Sequence, residues 1–220
     1  MLIRELSDGT RLCAYDIRHM DGQTYQTAFA QADKEKQAVV IRLRSQQAKK
    51  CAVAGDMLAR EEIARRCGVR KEDIVFQKNE YGKPFAQALR VQFNISHSGD
   101  MVLCAVSDDP VGVDVEKVRP VRLKTAKRIC TEQELRYLFG KLPTEEDYLC
   151  DDQAVLQRFF EIWCAKEAYF KCIGTGIRAP QTADITFLLG APHSFYLGGY
   201  QACLCVQKEE MSSITPTPAI

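Results

Sequence analysis

The same order of elements, a strand, a long helix and then short strands, is predicted twice along this chain. The first series comprises a strand at 11–19, a helix at 46–67 ended by Gly68, and strands near 73–78, 91–95 and 101–107. The second comprises a strand at 111–116, helical stretches at 122–139, a polar connection around 141–151, a helix at 152–173 ended by Gly174 and Gly176, and strands near 183–189, 194–199 and 202–207. Residue identity between the two series is negligible, so only the pattern repeats.

A strong turn, Asp108-Asp109-Pro110, separates the two series, because proline fixes φ and aspartate tolerates turn geometry. The repeat favours two similar α/β halves over one doubly wound sheet. We therefore predict an α+β fold with halves at 1–108 and 109–209 and a ligand site where they meet. The polar, proline-bearing tail at 210–220 is expected to be flexible.

The composition argues against several classes of protein. A formal net charge of +1 is unlike the basic excess of dedicated nucleic-acid binders. No apolar run reaches the ~18–20 residues that span a bilayer, and the N-terminus lacks the apolar core of a secretory signal, so we expect a cytoplasmic location. None of the ten cysteines forms a C-x-x-C pair. We therefore expect reduced structural thiols and no zinc site.

Alternation places two carboxylates on one face of the strand that begins at Val111. Gly112, Asp114 and Glu116 share this face, and the intervening valines share the other. Two carboxylates at i and i+2 fit either a solvated outer strand face or a pair of oxygen ligands for a divalent cation. The strand alone leaves both readings open.

A third carboxylate, Glu167, lies on an apolar stripe of the helix at 152–173. The other members of that stripe are Leu156, Phe160, Trp163 and Phe170. A carboxylate directed into a core is costly unless it is paired, neutralised or bound to a metal. Lys171, one turn later, could satisfy it as an i,i+4 ion pair. A buried Glu–Lys pair is also a frequent mark of an active site.

Two further segments carry groups suited to an anion. Ser96, His97 and Ser98 follow a predicted strand, and hydroxyl donors around a histidine suit a phosphate, although a satisfied turn histidine fits equally well. Tyr81-Gly82-Lys83-Pro84 is a tight turn carrying a lysine. The glycine-rich signatures of P-loop and Rossmann proteins are absent from the sequence.

Four segments together resemble the 4′-phosphopantetheinyl transferases, specifically the larger surfactin-synthetase-activating (Sfp-like) class. They are YGKPF (81–85), FNISHSGD (93–100), VGVDVEK (111–117) and FFEIWCAKEAYFKCIGTG (159–176). The resemblance spans about residues 30–190, and the last two motifs are its most specific part. It implies an intramolecular pseudo-dimer of two α/β halves with coenzyme A bound between them.

The resemblance also implies the metal site and the reaction. Asp114, Glu116 and Glu167 would hold Mg²⁺, with Mn²⁺ as an alternative. Glu167 would be the general base, and Lys171 would assist at the pyrophosphate. The 4′-phosphopantetheine arm of coenzyme A would pass to a serine of an apo acyl, peptidyl or aryl carrier protein, releasing 3′,5′-ADP. We expect the protein to act as a monomer.

The resemblance further implies contacts to coenzyme A. The expected phosphate contacts are Lys83, Ser96, His97 and Lys171. Lys34 and Lys50 would bind the 3′-phosphoadenosine end, where one expected basic position is occupied by Gln37 with Lys36 beside it. Glu134 lies near where some relatives place another acidic residue, but Thr131-Glu-Gln-Glu134 also fits a helix capping box, which we prefer.

A basic run at 119–128 follows the strand of carboxylates. Such a run is usually a solvated helix face, but beside a catalytic metal it would steer an acidic carrier protein. Two other functions stay open from the sequence. One is a metal-dependent hydrolase of a nucleotide or of coenzyme A. The other is a non-catalytic module that binds carrier proteins.

Overall fold

The computed structural model describes residues 2–143, 152–176 and 193–207, together with 180, 183, 185 and 188–190. The strands are β1 (Leu2–Glu5), β2 (Arg11–Asp16), β3 (Phe76–Lys78), β4 (Pro84–Ala86), β5 (Gln92–Ser98), β6 (Met101–Ser107), β7 (Val111–Lys117), β8 (Ser194–Leu197) and β9 (Tyr200–Val206). The α-helices are α1 (Gly22–Gln31), α2 (Lys34–Arg42), α3 (Gln46–Cys67), α4 (Leu123–Ile129), α5 (Glu132–Phe139) and α6 (Gln153–Ile173).

Two antiparallel sheets carry the fold, and β3 and β4 form a separate hairpin. The first sheet has the order β1-β2-β6-β5 and the second the order β7-β9-β8. In each sheet the strand that precedes the long helix pairs with the last strand of the series, and that last strand pairs with the strand just before it. Helices and antiparallel sheets together confirm the predicted α+β class.

The ends of both long helices agree with the sequence prediction to within one residue, because both ends are capped. Ser45 accepts the Ala48 N–H at the start of α3, and Gly68 ends it in the left-handed region at φ 66°. Asp152 caps the start of α6, and Gly174 ends it at φ 74°. Helical interiors between these caps are long enough to cover a sheet.

Apolar side chains form three buried clusters that fix the layers. One lies between α3 and the first sheet, and a second lies between the second sheet and helices α4, α5 and α6. The third lies between the two sheets, where Leu12 and Leu103 meet Val113 and Leu204. The sheets therefore pack against each other and carry their long helices on the outer faces.

Strands β5 and β7 lie side by side although they belong to different sheets. Three side chains of β5 accept backbone N–H groups of β7: Asn94 Oδ1 from Val113 at 2.9 Å, Ser96 Oγ from Val115 at 3.4 Å and Ser98 Oγ from Lys117 at 3.1 Å. We call this contact the β5–β7 seam. Its constant spacing means that the two strands run parallel.

Helix α6 packs directly on β7 because Gly112 has no side chain. A Cβ at that position would lie 2.0 Å from the Ala168 carbonyl oxygen and 2.4 Å from the Cys172 nitrogen. The glycine therefore sets the distance between the strand that carries Asp114 and the helix that carries Glu167.

Several elements differ from the sequence-based expectation. Helices α1 and α2 and strands β1 and β4 were not expected, and all four are short. The strand expected at 91–95 continues to Ser98 as β5, so Ser96, His97 and Ser98 lie on the strand and not in the loop that was expected after it. The strand expected at 11–19 ends at Asp16, because Asp16 caps a 3₁₀ turn at Ile17–His19. The strand expected at 73–78 is limited to Phe76–Lys78, since Lys71–Asp73 forms another such turn.

Other expectations fall largely outside the described residues. These include the polar connection around 141–151, most of the strand at 183–189 and the tail at 210–220. Where residues of 183–189 are described, Leu188 donates to the Ile185 carbonyl in a turn-type hydrogen bond rather than in a strand. Among the residues described, no helix combines the length and apolar character that crossing a bilayer requires.

We predict that Gly112→Ala lowers the free energy of unfolding by about 3 kcal/mol or more, because the added methyl group overlaps backbone atoms of α6 that cannot rotate away. Urea denaturation measures the loss. Gly22→Ala is the matched control, since nothing lies within 4 Å of a Cβ there. Equal stability of the two variants would show that α6 does not rest on Gly112.

Candidate functional site

The β5–β7 seam also holds the two strand carboxylates. Ser96 Oγ donates to Asp114 Oδ1 at 2.7 Å, and Ser98 Oγ donates to Glu116 Oε2 at 2.8 Å. Glu116 Oε2 also accepts from Arg119 at 3.2 Å. Asp114 is only 3% exposed, so the strand pair is not a solvated outer face. The alternative of a solvated outer strand face is therefore wrong for Asp114.

Helix α6 adds a cation and a third acid to the seam. The Lys171 ammonium donates to Asp114 Oδ1 at 2.6 Å and to Ser96 Oγ at 3.1 Å. The ion pair of Lys171 is therefore with Asp114 on the strand, and not the i,i+4 pair with Glu167 that the helix pattern offered. Helical geometry identified the face of Lys171 but not the strand packed against it.

Burial and charge repulsion make Glu167 unusual. Burial raises the pKa of Glu167 to about 7, the negative charges of Asp114 and Glu116 add to the increase, and Lys171 opposes it. Burial also raises the pKa of Asp114, although Lys171 and the Ser96 hydroxyl favour its ionised form. Three carboxylates thus share one small region with insufficient positive charge to stabilise all of them.

The donor chemistry of these acids fits a divalent cation. Among the described residues, no group makes a hydrogen bond of normal geometry to the buried Asp114 Oδ2, an arrangement that proteins usually avoid; the Cys164 thiol lies close enough for Asp114 to raise its pKa. Oxygen ligands from carboxylates are those that Mg²⁺ prefers. In the described part of the chain, however, no three such side chains already form a group that could hold a metal. Ligation therefore requires side-chain rearrangement, and Asp114 can take part through Oδ2, since Lys171 binds Oδ1.

The two neighbouring residues of β5 that were expected to bind phosphate differ in their exposure to solvent. Ser96 is buried, with its hydroxyl engaged by Asp114 and Lys171. His97, next to it on β5, has an exposed side chain. Partial loss of hydration lowers the pKa of His97, and the positive charges of Lys171 and Lys36 lower it further. His97 therefore lies within the electrostatic reach of both lysines.

The other expected phosphate ligands have different environments. Lys83 donates to the carbonyls of Val111, at 3.2 Å, and Cys172, at 3.0 Å, so it fastens the β3–β4 hairpin to α6. Burial lowers the pKa of Lys83. Lys50 donates to the Met20 carbonyl at 2.7 Å, and Lys34 is exposed at the start of α2.

A cavity of about 470 Å³ lies on the other side of β5. Its lining comprises Asp33, Glu35, Lys36, Val39, Asp56, Phe76, Gln77, Lys78, Pro84, Phe93 and Ile95. Lys36 and Lys78 supply its positive charge among three carboxylates, and Lys78 pairs with Glu35 at 3.5 Å. From the sequence Lys36 was considered beside Gln37, whereas Lys78 was not selected. Gln37 has a structural role, because its side-chain amide donates to the Phe29 and Ala32 carbonyls at the C-terminal end of α1.

Glu134 has the structural role that its capping-box pattern predicts. Its carboxylate accepts the Thr131 N–H at 2.6 Å, and the Thr131 hydroxyl accepts the Glu134 N–H at 3.1 Å. Glu134 also pairs at 2.8 Å with Lys166, which is completely buried and donates to the Pro180 carbonyl. Lys166 could not be selected from the sequence, because no local pattern identifies Glu134 as its partner.

The basic run at 119–128 divides between the site and the surface. Arg119 bonds Glu116, whereas α4 buries Leu123 and Ala126 and exposes Lys124 and Lys127. The exposed face of α4 is thus positively charged and lies in the segment that directly follows the strand of carboxylates.

Comparisons with known proteins match both halves of the chain. Residues 110–213 match the model of the 4′-phosphopantetheinyl transferase superfamily, and residues 20–109 match the model of a 4′-phosphopantetheinyl transferase N-terminal domain. The 4′-phosphopantetheinyl transferase gsp of Aneurinibacillus migulanus is 33% identical over 161 residues, covering 73% of this chain and 64% of that protein.

Two other relatives extend the comparison. The 4′-phosphopantetheinyl transferase Sfp of Bacillus subtilis is 39% identical over 128 residues, covering 57% of this chain and 53% of that protein. The L-aminoadipate-semialdehyde dehydrogenase-phosphopantetheinyl transferase of Xenopus laevis is 32% identical over 140 residues, covering 58% of this chain and 44% of that protein. The matched region thus covers 44–64% of the length of these relatives, less than two thirds in each case.

We predict that Glu167→Gln stabilises the cation-free protein at alkaline pH. A glutamate whose pKa rises from 4.5 in the unfolded chain to about 7 in the folded protein contributes stability below pH 4.5, and that contribution is lost as the pH rises through 7. In EDTA, the melting temperature of the variant should exceed that of the wild type at pH 8 but not at pH 5. Exposed Glu80→Gln is the control, and an identical pH dependence in all three proteins would contradict the prediction.

Proposed function

The chain belongs to the 4′-phosphopantetheinyl transferase superfamily, in its Sfp-like class, and on that premise we propose that it modifies carrier proteins. It transfers the 4′-phosphopantetheine arm of coenzyme A to a serine of an apo acyl, peptidyl or aryl carrier protein and releases 3′,5′-ADP. The observation that carries this proposal is the buried, unpartnered Asp114 Oδ2 beside two further acids and Lys171.

Asp114, Glu116 and Glu167 are the proposed ligands of Mg²⁺, or of Mn²⁺. When bound, the cation neutralises the pyrophosphate of coenzyme A and orients the phosphoryl group. The protein itself supplies a base. Glu167 is proposed to accept the proton of the carrier serine, because this carboxylate lies within the charge influence of both strand acids, next to the proposed cation.

Lys171 is proposed to stabilise the leaving group. The serine oxygen forms a bond to the phosphorus that bears the pantetheine arm, and the bond from that phosphorus to the bridging oxygen of 3′,5′-ADP breaks. Negative charge then develops on the departing phosphate, and an ammonium already directed into the acidic cluster can bind it. This role requires Lys171 to exchange its contact with Asp114 for one with the phosphate.

The coenzyme A contacts are proposed to involve both sides of β5. His97 is exposed and within the charge influence of Lys171 and Lys36, which suits it to a phosphate of the pyrophosphate arm. Lys83 and Ser96 support the site through the bonds already described. For the 3′-phosphoadenosine end, the cavity favours Lys36 and Lys78 over the expected Lys34 and Lys50, since the first two line it.

We also propose that residues 1–108 and 109–209 form an intramolecular pseudo-dimer. The matching strand orders β2-β6-β5 and β7-β9-β8, each carrying one long helix, support this arrangement. A monomeric state in solution and a cytoplasmic location stay predictions.

The main test incubates the protein with coenzyme A, Mg²⁺ and apo carrier proteins and then measures the carrier masses. We expect a gain of one phosphopantetheine group on an acyl, peptidyl or aryl carrier, and none in EDTA. Free phosphopantetheine without carrier modification would favour a hydrolase. Absence of turnover with every carrier, despite binding, would favour a non-catalytic module.

Glu167→Gln separates the base assignment from the overall reaction. We expect it to lower the transfer rate at least about 100-fold, since a positioned base contributes that much or more. Glu80→Gln, an exposed acid outside the site, is the matched control and should retain the wild-type rate. A nearly intact rate in Glu167→Gln would show that another group accepts the proton.

The exposed face of α4 is the proposed docking surface for an acidic carrier protein. We predict that Lys124→Glu with Lys127→Glu raises KM for the carrier about tenfold at low salt, leaves KM for coenzyme A unchanged, and has a smaller effect at high salt. Arg4→Glu with Arg90→Glu is the matched control, because both arginines are exposed elsewhere on the chain. Equal effects of the two double variants would refute docking on α4.

A further inference from the structure

The hydroxyl of Ser98 has two partners whose chemistry fixes the position of its proton. It accepts the Lys117 backbone N–H at 3.1 Å and contacts Glu116 Oε2 at 2.8 Å. A backbone amide can only donate and an ionised carboxylate can only accept. The single hydroxyl hydrogen must therefore go to Glu116, so Ser98 joins the backbone of β7 to a carboxylate on the same strand.

Ser96 repeats this arrangement one step earlier along β5. It accepts from the Val115 N–H and donates to Asp114 Oδ1, and the Lys171 ammonium supplies a further donor to it. Each serine therefore holds a carboxylate oxygen and supports the seam at the same time. Period-two alternation places both hydroxyls on one face of the strand.

Asn94, the third seam residue, has no carboxylate opposite it on β7. Asn94 accepts the Val113 N–H, and the residue 18 positions after it is Gly112. The residues 18 positions after Ser96 and Ser98 are Asp114 and Glu116. Thus β5 provides hydroxyls opposite the carboxylates and a carboxamide opposite the glycine. A role confined to joining the strands would not require that distinction.

We propose that Ser96 and Ser98 are positioning residues for the divalent cation, each fixing one oxygen of a strand carboxylate and thereby presetting Asp114 and Glu116 for ligation. The inference rests on the metal role in the proposed function. Without Ser98, the Glu116 carboxylate retains Arg119, at 3.2 Å, as its one hydrogen-bond partner among the described residues, and this exposed arginine does not tie it to β5. Loss of a hydrogen bond that orients a ligand typically lowers metal affinity 10–100-fold.

Ser98 offers the cleaner test, because Ser96 also contacts Lys171. The experiment measures Mn²⁺ binding to the full chain without coenzyme A, by the electron paramagnetic resonance signal of free Mn²⁺, and records melting temperature in parallel. We expect Ser98→Ala to weaken Mn²⁺ binding at least about tenfold. Ser98→Thr keeps the hydroxyl and should bind within about threefold of the wild type.

Asn94→Ala is the matched control for the seam itself. It removes one N–H acceptor without touching a carboxylate, so it should lower the melting temperature and leave Mn²⁺ affinity within about twofold of the wild type. If this buried substitution prevents folding, the contrast between Ser98→Ala and Ser98→Thr still decides the question. Equal loss of Mn²⁺ affinity in Asn94→Ala and Ser98→Ala would overturn the positioning role.

The Mn²⁺ measurements distinguish a failure of the positioning role from a failure of the metal assignment. If the wild type binds Mn²⁺ and Ser98→Ala binds it equally well, the positioning role is wrong and the proposed metal site survives. If the folded wild type binds no Mn²⁺ and still transfers phosphopantetheine in EDTA, the metal assignment and the positioning role are both overturned, whereas the transferase activity survives.

Discussion

The seam between β5 and β7 is the interaction on which the rest of the structure depends. Adjacent strands in a sheet normally pair through backbone N–H and C=O groups, without using their side chains. Here Asn94, Ser96 and Ser98 replace the backbone acceptors. Because these acceptors are side chains, two of them also hold carboxylates, so the contact that joins the two sheets orients the acids as well.

The second constraint is the short distance between α6 and β7. Gly112 permits it, and as a result Lys171 reaches Asp114 while Glu167 lies close enough to both strand acids for their charges to raise its pKa. A cluster of three acids with one buried oxygen unpartnered is costly to the folded protein. Proteins retain such costs mainly at functional sites, where a bound cation or substrate offsets them.

Much of this arrangement could be predicted from the sequence. Length without helix breakers and terminal glycines predicted α3 and α6, and alternation placed Asp114 and Glu116 on one face. Periodicity cannot identify which element packs on a given face, so the pairing of Lys171 with Asp114 was missed. The serine contacts to these acids depend on an 18-residue offset between two strands that no local pattern encodes. Short helices such as α2 were also missed, and with them the position of Lys36 in the cavity.

The most direct measurement of the central claim is a crystal structure of the protein soaked in Mn²⁺, with anomalous differences recorded. The account predicts one strong anomalous peak within bonding distance, about 2.0–2.3 Å, of Asp114, Glu116 and Glu167 oxygens. It also predicts that Asp114 binds the cation through Oδ2, while Ser96 and Ser98 keep their hydrogen bonds to the two strand acids. A cation bound elsewhere, without contact to Asp114 Oδ2, would contradict the account.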